Sequence, residues 1–400
     1  MKHASTLLSL AVLAAALPAR AQIEPPAVHG ARSAALGGTG VAYADDATAV
    51  FHNPAALDAI GRIAVTIGAS PQVASSSAPI RGPDLDPVPS SRAVFPYFFA
   101  GGALRLHERV VVGLAAYPTA GGTVHFATPH FAGHDLSATV SAIEISPALS
   151  FAVTRDLALG LAYRVTAAAS LHREGSLQGG QLVSADTTMR GWGFRSMSAG
   201  IAYRVHDRLR LGLLYRSRAA VDVSGTRAVT VGDEAAPDAV SWDAKSTVAT
   251  PHTLRIGAAA ELLPETQTVA LELGSRADGS MLPRVSTTLT SSTGATKVEF
   301  DRPDLRDEVG VGFGLEAKPI PELALRLGYH ESSSPTSPDK PSWSAPPPGA
   351  RRTFTWGAGV ILPRWDAGLA GMYTFASAET SGGTYATNAL TLALSVTYRQ

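Results

Sequence analysis

The chain has 400 residues, of which 16% are charged, and 33 basic residues balance 33 acidic ones. A nucleic-acid partner requires a basic surface, so this balance argues against one. Because the chain contains no cysteine, disulfides and thiolate metal sites are excluded. The 38 glycines and the low aromatic content of 7% favour tightly packed β-structure over a leucine-rich helical core.

Residues 1–21 have the layout of a secretory signal peptide. A short basic start precedes an apolar run over residues 6–18, and Ala19 and Ala21 offer small side chains where a signal peptidase reads the chain. The alternative is a membrane anchor, but the run is shorter than the roughly 20 apolar residues that a spanning helix needs. We therefore predict export and cleavage before Gln22.

Several segments after the signal alternate strictly with a period of two. Between Leu157 and Val165, leucine, tyrosine and valine hold one parity, while alanine, glycine and arginine hold the other. The pattern recurs in 309–316, 323–330 and 390–399. Period two indicates β-strands with successive side chains on opposite faces. The small second face is typical of a barrel lumen, with the large residues towards lipid and tyrosines near the membrane surface.

The pattern predicts an all-β fold, a transmembrane antiparallel barrel of about fourteen strands. Their predicted bounds are 62–71, 92–106, 109–118, 137–154, 157–172, 193–205, 209–224, 250–262, 267–275, 308–318, 322–331, 352–362, 366–376 and 388–399. The connections alternate between long ones of 11 to 32 residues and short ones of 2 to 4 residues. Outer-membrane barrels have short periplasmic turns and long outer loops, which alternate along the chain in this way. Closure is required because an open sheet edge in hydrocarbon leaves backbone groups unpaired.

Residues 22–61 do not alternate, and we predict that they form a compact, partly helical unit ahead of the barrel at 62–400. Asn53 can cap free backbone N–H groups, and Pro54 suits the first position of a helix. Asp45-Asp46 predicts a second short helix in the same way. A plug in the lumen and a periplasmic tail are both compatible with this pattern.

This N-terminal unit carries motifs that resemble those of the hatch in the FadL family of outer-membrane transporters. The motifs consist of Gly37, Gly38, Asp45, Asp46, Asn53, Pro54 and Ala55. The resemblance continues through 251–257, 307–329 and 351–375, so it covers essentially the whole mature chain. It implies fourteen strands and passive uptake of a hydrophobic small molecule, such as a long-chain fatty acid or an aromatic hydrocarbon. It also implies that the hatch shifts and that the ligand leaves sideways through a gap at a kink in the third strand.

The position that matches this kink is the end of the predicted third strand, where Pro118 is followed by Gly121 and Gly122. Pro118 cannot donate to a β-ladder, and glycines tolerate a bend. The alternative is that Pro118 simply ends the strand at an outer loop. For ligand capture, the resemblance indicates the third and fourth outer loops. Their apolar candidates, which could equally serve loop packing, are Leu177, Leu182, Trp192 and Trp242.

Three arginines share the inward parity with small residues: Arg164, Arg216 and Arg326. Arginine pairs bidentately with carboxylates, so one or more of them could bind the acid group of a fatty acid. The alternative is a structural role, in which these arginines pair with acidic residues of the lumen. The candidates for that pairing are Glu144, Glu272 and Glu316.

The sequence predicts no enzyme, since it contains no nucleophile elbow or dinucleotide motif. His125, His130 and His134 lack the spacing of metal ligands, so no metal or other cofactor is predicted. The expected partners are a hydrophobic small molecule, outer-membrane lipid, lipopolysaccharide and the barrel assembly machinery, and a monomer is expected. Two alternatives to a channel remain: a barrel of the same fold that acts as a scaffold or carrier for another protein, and a general porin, which a plug disfavours.

Overall fold

The computed structural model describes residues 29–80, 86–127, 136–178, 181–231, 238–263, 265–277, 287–291, 294, 296–299, 306–339 and 341–400. The predicted signal peptide at 1–21 lies outside these ranges and stays a prediction. Two short helices, α1 (Ala31–Ala35) and α2 (Ala49–His52), and a 3₁₀ helix (Pro54–Ala59) precede the strands. In the described ranges, no helix has the length and apolar character needed to cross a membrane.

The described ranges contain nineteen strands. They are β1 (Ile63–Ala78), β2 (Val88–Pro89), β3 (Ala93–His107), β4 (Val110–Phe126), β5 (Leu136–Ala152), β6 (Leu157–Gln178), β7 (Gln181–His206), β8 (Leu209–Arg216), β9 (Ala219–Val231), β10 (Asp238–Thr250), β11 (Thr253–Leu263), β12 (Gln267–Arg276), β13 (Thr287–Ser291), β14 (Thr296–Glu299), β15 (Glu308–Ile320), β16 (Leu323–Ser332), β17 (Arg351–Ile361), β18 (Trp365–Thr380) and β19 (Gly383–Arg399).

Fourteen of these strands form a closed antiparallel ring, which confirms the predicted barrel. The ring runs β1–β3–β4–β5–β6–β7–β8–β11–β12–β15–β16–β17–β18–β19. It closes where β1 pairs with β19, from Ala64 opposite Arg399 to Ser77 opposite Ala386. Closure gives hydrogen-bond partners to the backbone groups of the first and last strands, which hydrocarbon could not provide.

The two faces of the ring differ as the alternation predicted. On β6, Leu159 and Leu161 point outward with 45% and 57% of their surface exposed, whereas Ala158 and Ala162 point inward with 3% and 2% exposed. The outer surface is therefore covered by large apolar side chains. Small residues on the inner face leave room within the ring for other parts of the chain.

The short connections lie where the alternation of long and short loops predicted them. The predicted long loops are shorter than expected, because the strands extend into them. The predicted loop at 377–387 is the tip of the β18–β19 hairpin. The predicted strand 209–224 is divided: β8 ends at Arg216, and β9 starts at Ala219 and pairs with the outer part of β7. The chain leaves the ring at this point because β11 takes the place beside β8. The hairpin β9–β10 and the strands β13 and β14 extend this outer sheet.

Residues 29–60, called the N-terminal segment below, lie against strands on opposite sides of the ring. Helix α1 contacts β16 to β19, and the 3₁₀ helix contacts β4 to β7. The predicted cap is confirmed: Oδ1 of Asn53 accepts from the Ala55 N–H at 3.1 Å. The helix predicted to begin at Asp45-Asp46 begins later, at Ala49. Oδ1 of Asp46 accepts from the Thr48 N–H at 2.8 Å and so caps the turn that leads into this helix.

Candidate functional site

The ladder between β3 and β4 is interrupted in the outer half of the barrel. Register pairs between the two strands end at Ala100 and Ala116. Beyond this point β3 stays paired with β1 as far as Ala93, and β4 stays paired with β5 as far as Phe126. The interval between the two strands, Ala93–Phe99 on one side and 117–124 on the other, is called the window below. It ends at the top where the Ser91 N–H donates to the His125 carbonyl at 2.8 Å.

Pro118 and Gly121 both lie in β4 at the edge of the window. The register of β4 against β5 shifts between Pro118 and Ala120, which marks Thr119 as a bulge. Proline has no N–H to donate, and a bulge bends its strand. Local sequence thus explains why β4 turns away from β3 here. Gly122 follows on the same strand, and a β-carbon there would have open space around it.

Aromatic rings pack together at the base of the window, and the N-terminal segment contributes some of them. Phe99 of β3 and Tyr117 of β4 stack with centroids 6.0 Å apart. From the N-terminal segment, His29 lies 5.3 Å and Phe51 lies 5.1 Å from the Tyr117 ring. The Tyr117 hydroxyl is bonded to Oγ of Ser146 at 2.9 Å. The N-terminal segment and the base of the window therefore share one packed cluster.

A second group of contacts holds the N-terminal segment to the far wall. The Glu272 carboxylate accepts from the N–H groups of Gly40 at 2.8 Å and Val41 at 3.0 Å. Nδ2 of Asn53 donates to the Ile201 carbonyl at 3.0 Å. The Asn53 bond joins two neutral groups and contributes on the order of 1 kcal/mol, whereas each bond to the Glu272 carboxylate is charge-assisted and contributes roughly 1.5–3 kcal/mol.

Glycines on the inner wall allow the segment's backbone to approach this closely. A β-carbon on Gly160 would lie 2.1 Å from the Ala55 nitrogen, and one on Gly212 would lie 2.2 Å from the Val41 oxygen. On the segment itself, Gly37 and Gly38 have φ of 69° and 73°, a region that favours glycine. Gly37 also touches the backbone of β15 and β16. The sequence signal for this fit is a glycine at the inward parity of a strand, as at Gly160 and Gly212, which neither loop length nor the motifs reveal.

Charged side chains tie the segment to β15, β18 and β19. Arg32 donates to Glu316 at 2.9 Å and to Asp45 at 3.1 Å. Arg399 lies 3.2 Å from the other oxygen of Asp45 and 2.5 Å from Asp366. Although burial opposes it, Arg32 and Arg399 lower the pKa of the Asp45 carboxyl well below its usual range. Asp45 is therefore ionised, and it links the N-terminal segment to β19, the strand that closes the barrel by pairing with β1.

Comparisons with known proteins agree with this architecture. Residues 7–364 match the family model described as outer membrane protein transport protein (OMPP1/FadL/TodX). The chain belongs to this family. Among solved structures, the toluene transporter TodX of P. putida has 16% identity and a TM-score of 0.77 over 94% of this chain and 99% of its own. A Pseudomonas aeruginosa FadL homologue has 14% identity and a TM-score of 0.77 over 95% and 100%.

The CymD monoaromatic hydrocarbon channel is also similar, with 16% identity and a TM-score of 0.75 over 93% of this chain and 97% of its own. A search of curated proteins finds no match. As a member of the FadL family, the protein is a β-barrel of the outer membrane. Its relatives are transport proteins, in line with the expectation that it is not an enzyme.

The three inward arginines are engaged in ion pairs, as their structural alternative proposed. The Glu144 carboxylate pairs with Arg164 at 2.5 Å and with Arg216 at 2.8 Å, and all three side chains are buried. Arg326 pairs with Glu316 at 2.7 Å. Because each of these guanidinium groups already pairs with a carboxylate of the protein, the geometry gives no reason to assign them to a ligand carboxylate.

The four apolar candidates for ligand capture fall in different environments. Trp242 of β10 packs on buried apolar residues of the outer sheet. Trp192 was expected in a loop, but it lies in β7 and is 58% exposed. It shares the outward parity of Phe194, which is 57% exposed. Leu177 and Leu182 pair at the tip of the β6–β7 hairpin.

Of the three histidines considered for metal binding, the structure describes one. His130 and His134 lie outside the described residues, whereas His125 closes the top of the window against Ser91 at 3.1 Å. Among the residues that the structure describes, no group of three or more acidic, histidine or cysteine side chains is arranged to hold a metal ion.

Proposed function

We propose that the protein is a passive channel for hydrophobic small molecules, which leave the barrel sideways through the window between β3 and β4. The observation that carries this proposal is the interrupted ladder from Ala100 and Ala116 up to the contact of Ser91 with His125. Unpaired backbone groups facing hydrocarbon are costly, so a membrane barrel has no structural reason to leave such an interval. A route for an apolar solute into the bilayer is a functional reason.

The position of the window suits an apolar solute. It opens through a wall whose outer surface is covered with large apolar side chains, for example Leu114 at 56% exposed and Val94 at 60% exposed. A hydrophobic molecule that leaves there enters lipid directly and avoids water, to which its transfer is unfavourable. A polar solute would gain nothing from this route, which argues against a general porin.

The N-terminal segment is suited to act as the hatch of this channel. Its residues pack across the ring between Glu272 on one wall and the aromatic cluster at Tyr117 on the other. The glycine-lined surface matches the segment's backbone, and a neutral contact such as that of Asn53 with the Ile201 carbonyl contributes only about 1 kcal/mol. A ligand that arrives from the outer side could displace the segment by replacing its apolar contacts, and the segment could then return.

The proposed substrates are long-chain fatty acids or aromatic hydrocarbons. Two structural neighbours are named as a toluene transporter and a monoaromatic hydrocarbon channel, which supports an aromatic solute. The lumen arginines Arg164 and Arg216 are committed to Glu144, so the structure offers those residues no role in selecting an acid. The capture surface is proposed to include Trp242 and the apolar cluster beneath it.

The lateral route can be tested by restoring the ladder. A variant with Pro118→Val and Thr119 deleted regains a donor and loses the bulge, so β3 and β4 should pair further. Uptake of radiolabelled toluene and oleate is measured in cells that lack other channels of this type. The matched control is Pro147→Val, which changes an exposed strand proline of β5 away from the window.

We expect the variant to lose most uptake of any compound that the wild-type protein transports, while the control keeps it. Full uptake by the sealed and correctly folded variant would contradict the lateral route. If the wild-type protein raises the uptake of neither compound above that of cells without it, the channel function itself is wrong. A scaffold or carrier role for the same barrel would then be favoured.

A further inference from the structure

We propose that Phe95 and Tyr97 of β3 form a shutter across the window and set the size of the molecule that leaves through it. This inference rests on the proposed function and adds the residues that control the exit. Both side chains lie in the part of β3 that has no register partner on β4. Their rings are packed on each other, with centroids 4.7 Å apart.

The Phe95 ring spans the window and rests on β4. A β-carbon placed on Gly121 would lie 1.9 Å from the Phe95 ring atom Cζ. The ring therefore occupies the very space that any other residue at position 121 would need. Glycine at this position explains how the tip of an aromatic ring from one strand can reach the backbone of the other.

Tyr97 bridges the window by a hydrogen bond. Its hydroxyl donates to the Gly121 carbonyl at 2.7 Å. That carbonyl belongs to a stretch of β4 that has turned away from β3, so the tyrosine replaces a backbone contact with a side-chain contact. A side chain can rotate away, whereas a ladder of backbone hydrogen bonds cannot open one residue at a time without cost.

The shutter is also connected to the N-terminal segment. Tyr97 is buried in a cluster with Ala31, Ala34 and Ala35 of α1, and Phe95 packs against the same cluster. Displacement of α1 would remove the surface that supports Tyr97 from the inside. Movement of the segment and opening of the window are thus linked through one packing contact, with no need for the barrel wall to deform.

Neighbouring aromatic residues do not share this arrangement. Phe99 stacks on Tyr117 at the base of the window, next to the last register pair of β3 and β4. Phe98 has the opposite parity and pairs with Ala69 on β1. Phe98 therefore offers a matched control: it is an aromatic residue on the same strand, adjacent to Tyr97, but outside the proposed shutter.

The test uses purified protein in liposomes and two neutral probes of different width, toluene and pyrene. The quantity measured is the ratio of the transfer rates of pyrene and toluene. Phe95→Ala should raise this ratio roughly ten-fold, the scale on which an apolar pocket discriminates by size. Tyr97→Phe keeps the ring but loses the bridge to Gly121, so it should raise both rates and leave the ratio unchanged.

Gly121→Ala provides an independent variant, because its new methyl group must push the Phe95 ring aside. It should therefore change the ratio in the same direction as Phe95→Ala, and Phe98→Ala should leave the ratio at the wild-type value. Folding is checked by the shift in gel mobility on heating. An unchanged ratio in both folded variants, Phe95→Ala and Gly121→Ala, would overturn the shutter. Failure of the wild-type protein to transfer toluene would instead count against the channel function.

Discussion

Oδ1 of Asn53 lies 2.0 Å from the point where a β-carbon on Gly200 would sit. The inner wall of β7 accepts the Asn53 side chain only because residue 200 is a glycine. From this position Asn53 caps the 3₁₀ helix and also donates to the Val41 carbonyl at 2.8 Å. One side chain thus joins two parts of the N-terminal segment to the barrel wall, and the fit depends on a missing methyl group.

The first prediction is that Gly200→Ala loosens the N-terminal segment without unfolding the barrel. The added methyl group overlaps Asn53, and such overpacking typically costs about 1–3 kcal/mol. The reporter is a single cysteine introduced by Val50→Cys, a position that is 1% exposed, in a chain with no other cysteine. We expect faster labelling of this thiol by a polar maleimide.

Gly102→Ala is the matched control, because a β-carbon there would meet no atom closer than 3.8 Å. Its labelling rate should equal that of the parent carrying Val50→Cys alone. Equal rates for Gly200→Ala and Gly102→Ala would show that the contact of Asn53 with residue 200 does not hold the segment.

The second prediction concerns the buried carboxylate that two arginines share. Glu144→Gln leaves Arg164 and Arg216 in a buried site without their counter-charge. Removing one partner of a buried ion pair typically costs about 3–5 kcal/mol. The free energy of unfolding, measured by urea titration in detergent micelles, should fall by about this amount.

The control for this change is Asp186→Asn, which breaks the pair with Arg173 on the outer part of the β6–β7 hairpin. Both side chains of this pair are about half exposed, at 50% and 49%, and exposed pairs contribute roughly 0–1 kcal/mol. A loss for Glu144→Gln no larger than that of the control would mean that the lumen arginines are not held by Glu144.

The alternating strands and the parity of the loops were sufficient to predict the barrel, because the large outward residues, such as Leu161, and the small inward ones, such as Ala162, repeat along each membrane strand. The outer sheet was missed as a separate part of the fold. Strand β9 begins with the same alternation as the membrane strands, with Val221 and Val223 on one parity and Asp222 and Ser224 on the other, so the pattern joined it to β8 in the single predicted strand 209–224.

The motif resemblance located the window at Pro118, but it could not show what fills the window. The residues that do so, Phe95 and Tyr97, lie on the preceding strand, and their contact with Gly121 follows only from the three-dimensional register. The inward arginines illustrate a related limit. Parity placed Arg164 in the lumen, but its pairing with Glu144 depends on how β5 and β6 are aligned.

The third prediction is that acid releases the N-terminal segment. Burial, with His52 and Arg216, lowers the pKa of His29 to about 3. Burial also lowers the pKa of His52 to about 4; Arg255 and Arg216 act in the same direction, whereas Glu272 opposes them. In a released segment both imidazoles would return to about 6.5. The released state therefore binds more protons, so docking is stable above about pH 6.5 and weakens as pH falls towards 4.

Linkage gives the expected size: by pH 5 the release equilibrium should rise on the order of thirty-fold per histidine. The carboxylate of Asp45, whose pKa is lowered, contributes only below about pH 4 and does not affect the range from pH 7.5 to 5. Labelling of Val50→Cys is followed from pH 7.5 to 5 and divided by the rate at an exposed site, Ala127→Cys, which corrects for thiol ionisation. His52→Gln should remove one of the two thirty-fold factors and leave that of His29; a flat profile in the protein that retains both histidines would contradict the prediction.

The last prediction separates the two tryptophans that the sequence placed together in the capture surface. Trp242 packs against a cluster that contains Met189, Val221 and Leu289, on strands β7, β9 and β13. Trp242→Ala removes an apolar surface that a ligand would otherwise cover, and we expect a loss of about 1–2 kcal/mol in toluene binding, or roughly ten-fold in Kd. Trp192→Ala is the matched control, because its side chain is 58% exposed on the outward face.

Binding of radiolabelled toluene is measured by equilibrium dialysis. Unchanged binding by Trp242→Ala would mean that capture does not involve this cluster, whereas a loss confined to Trp242→Ala supports capture there.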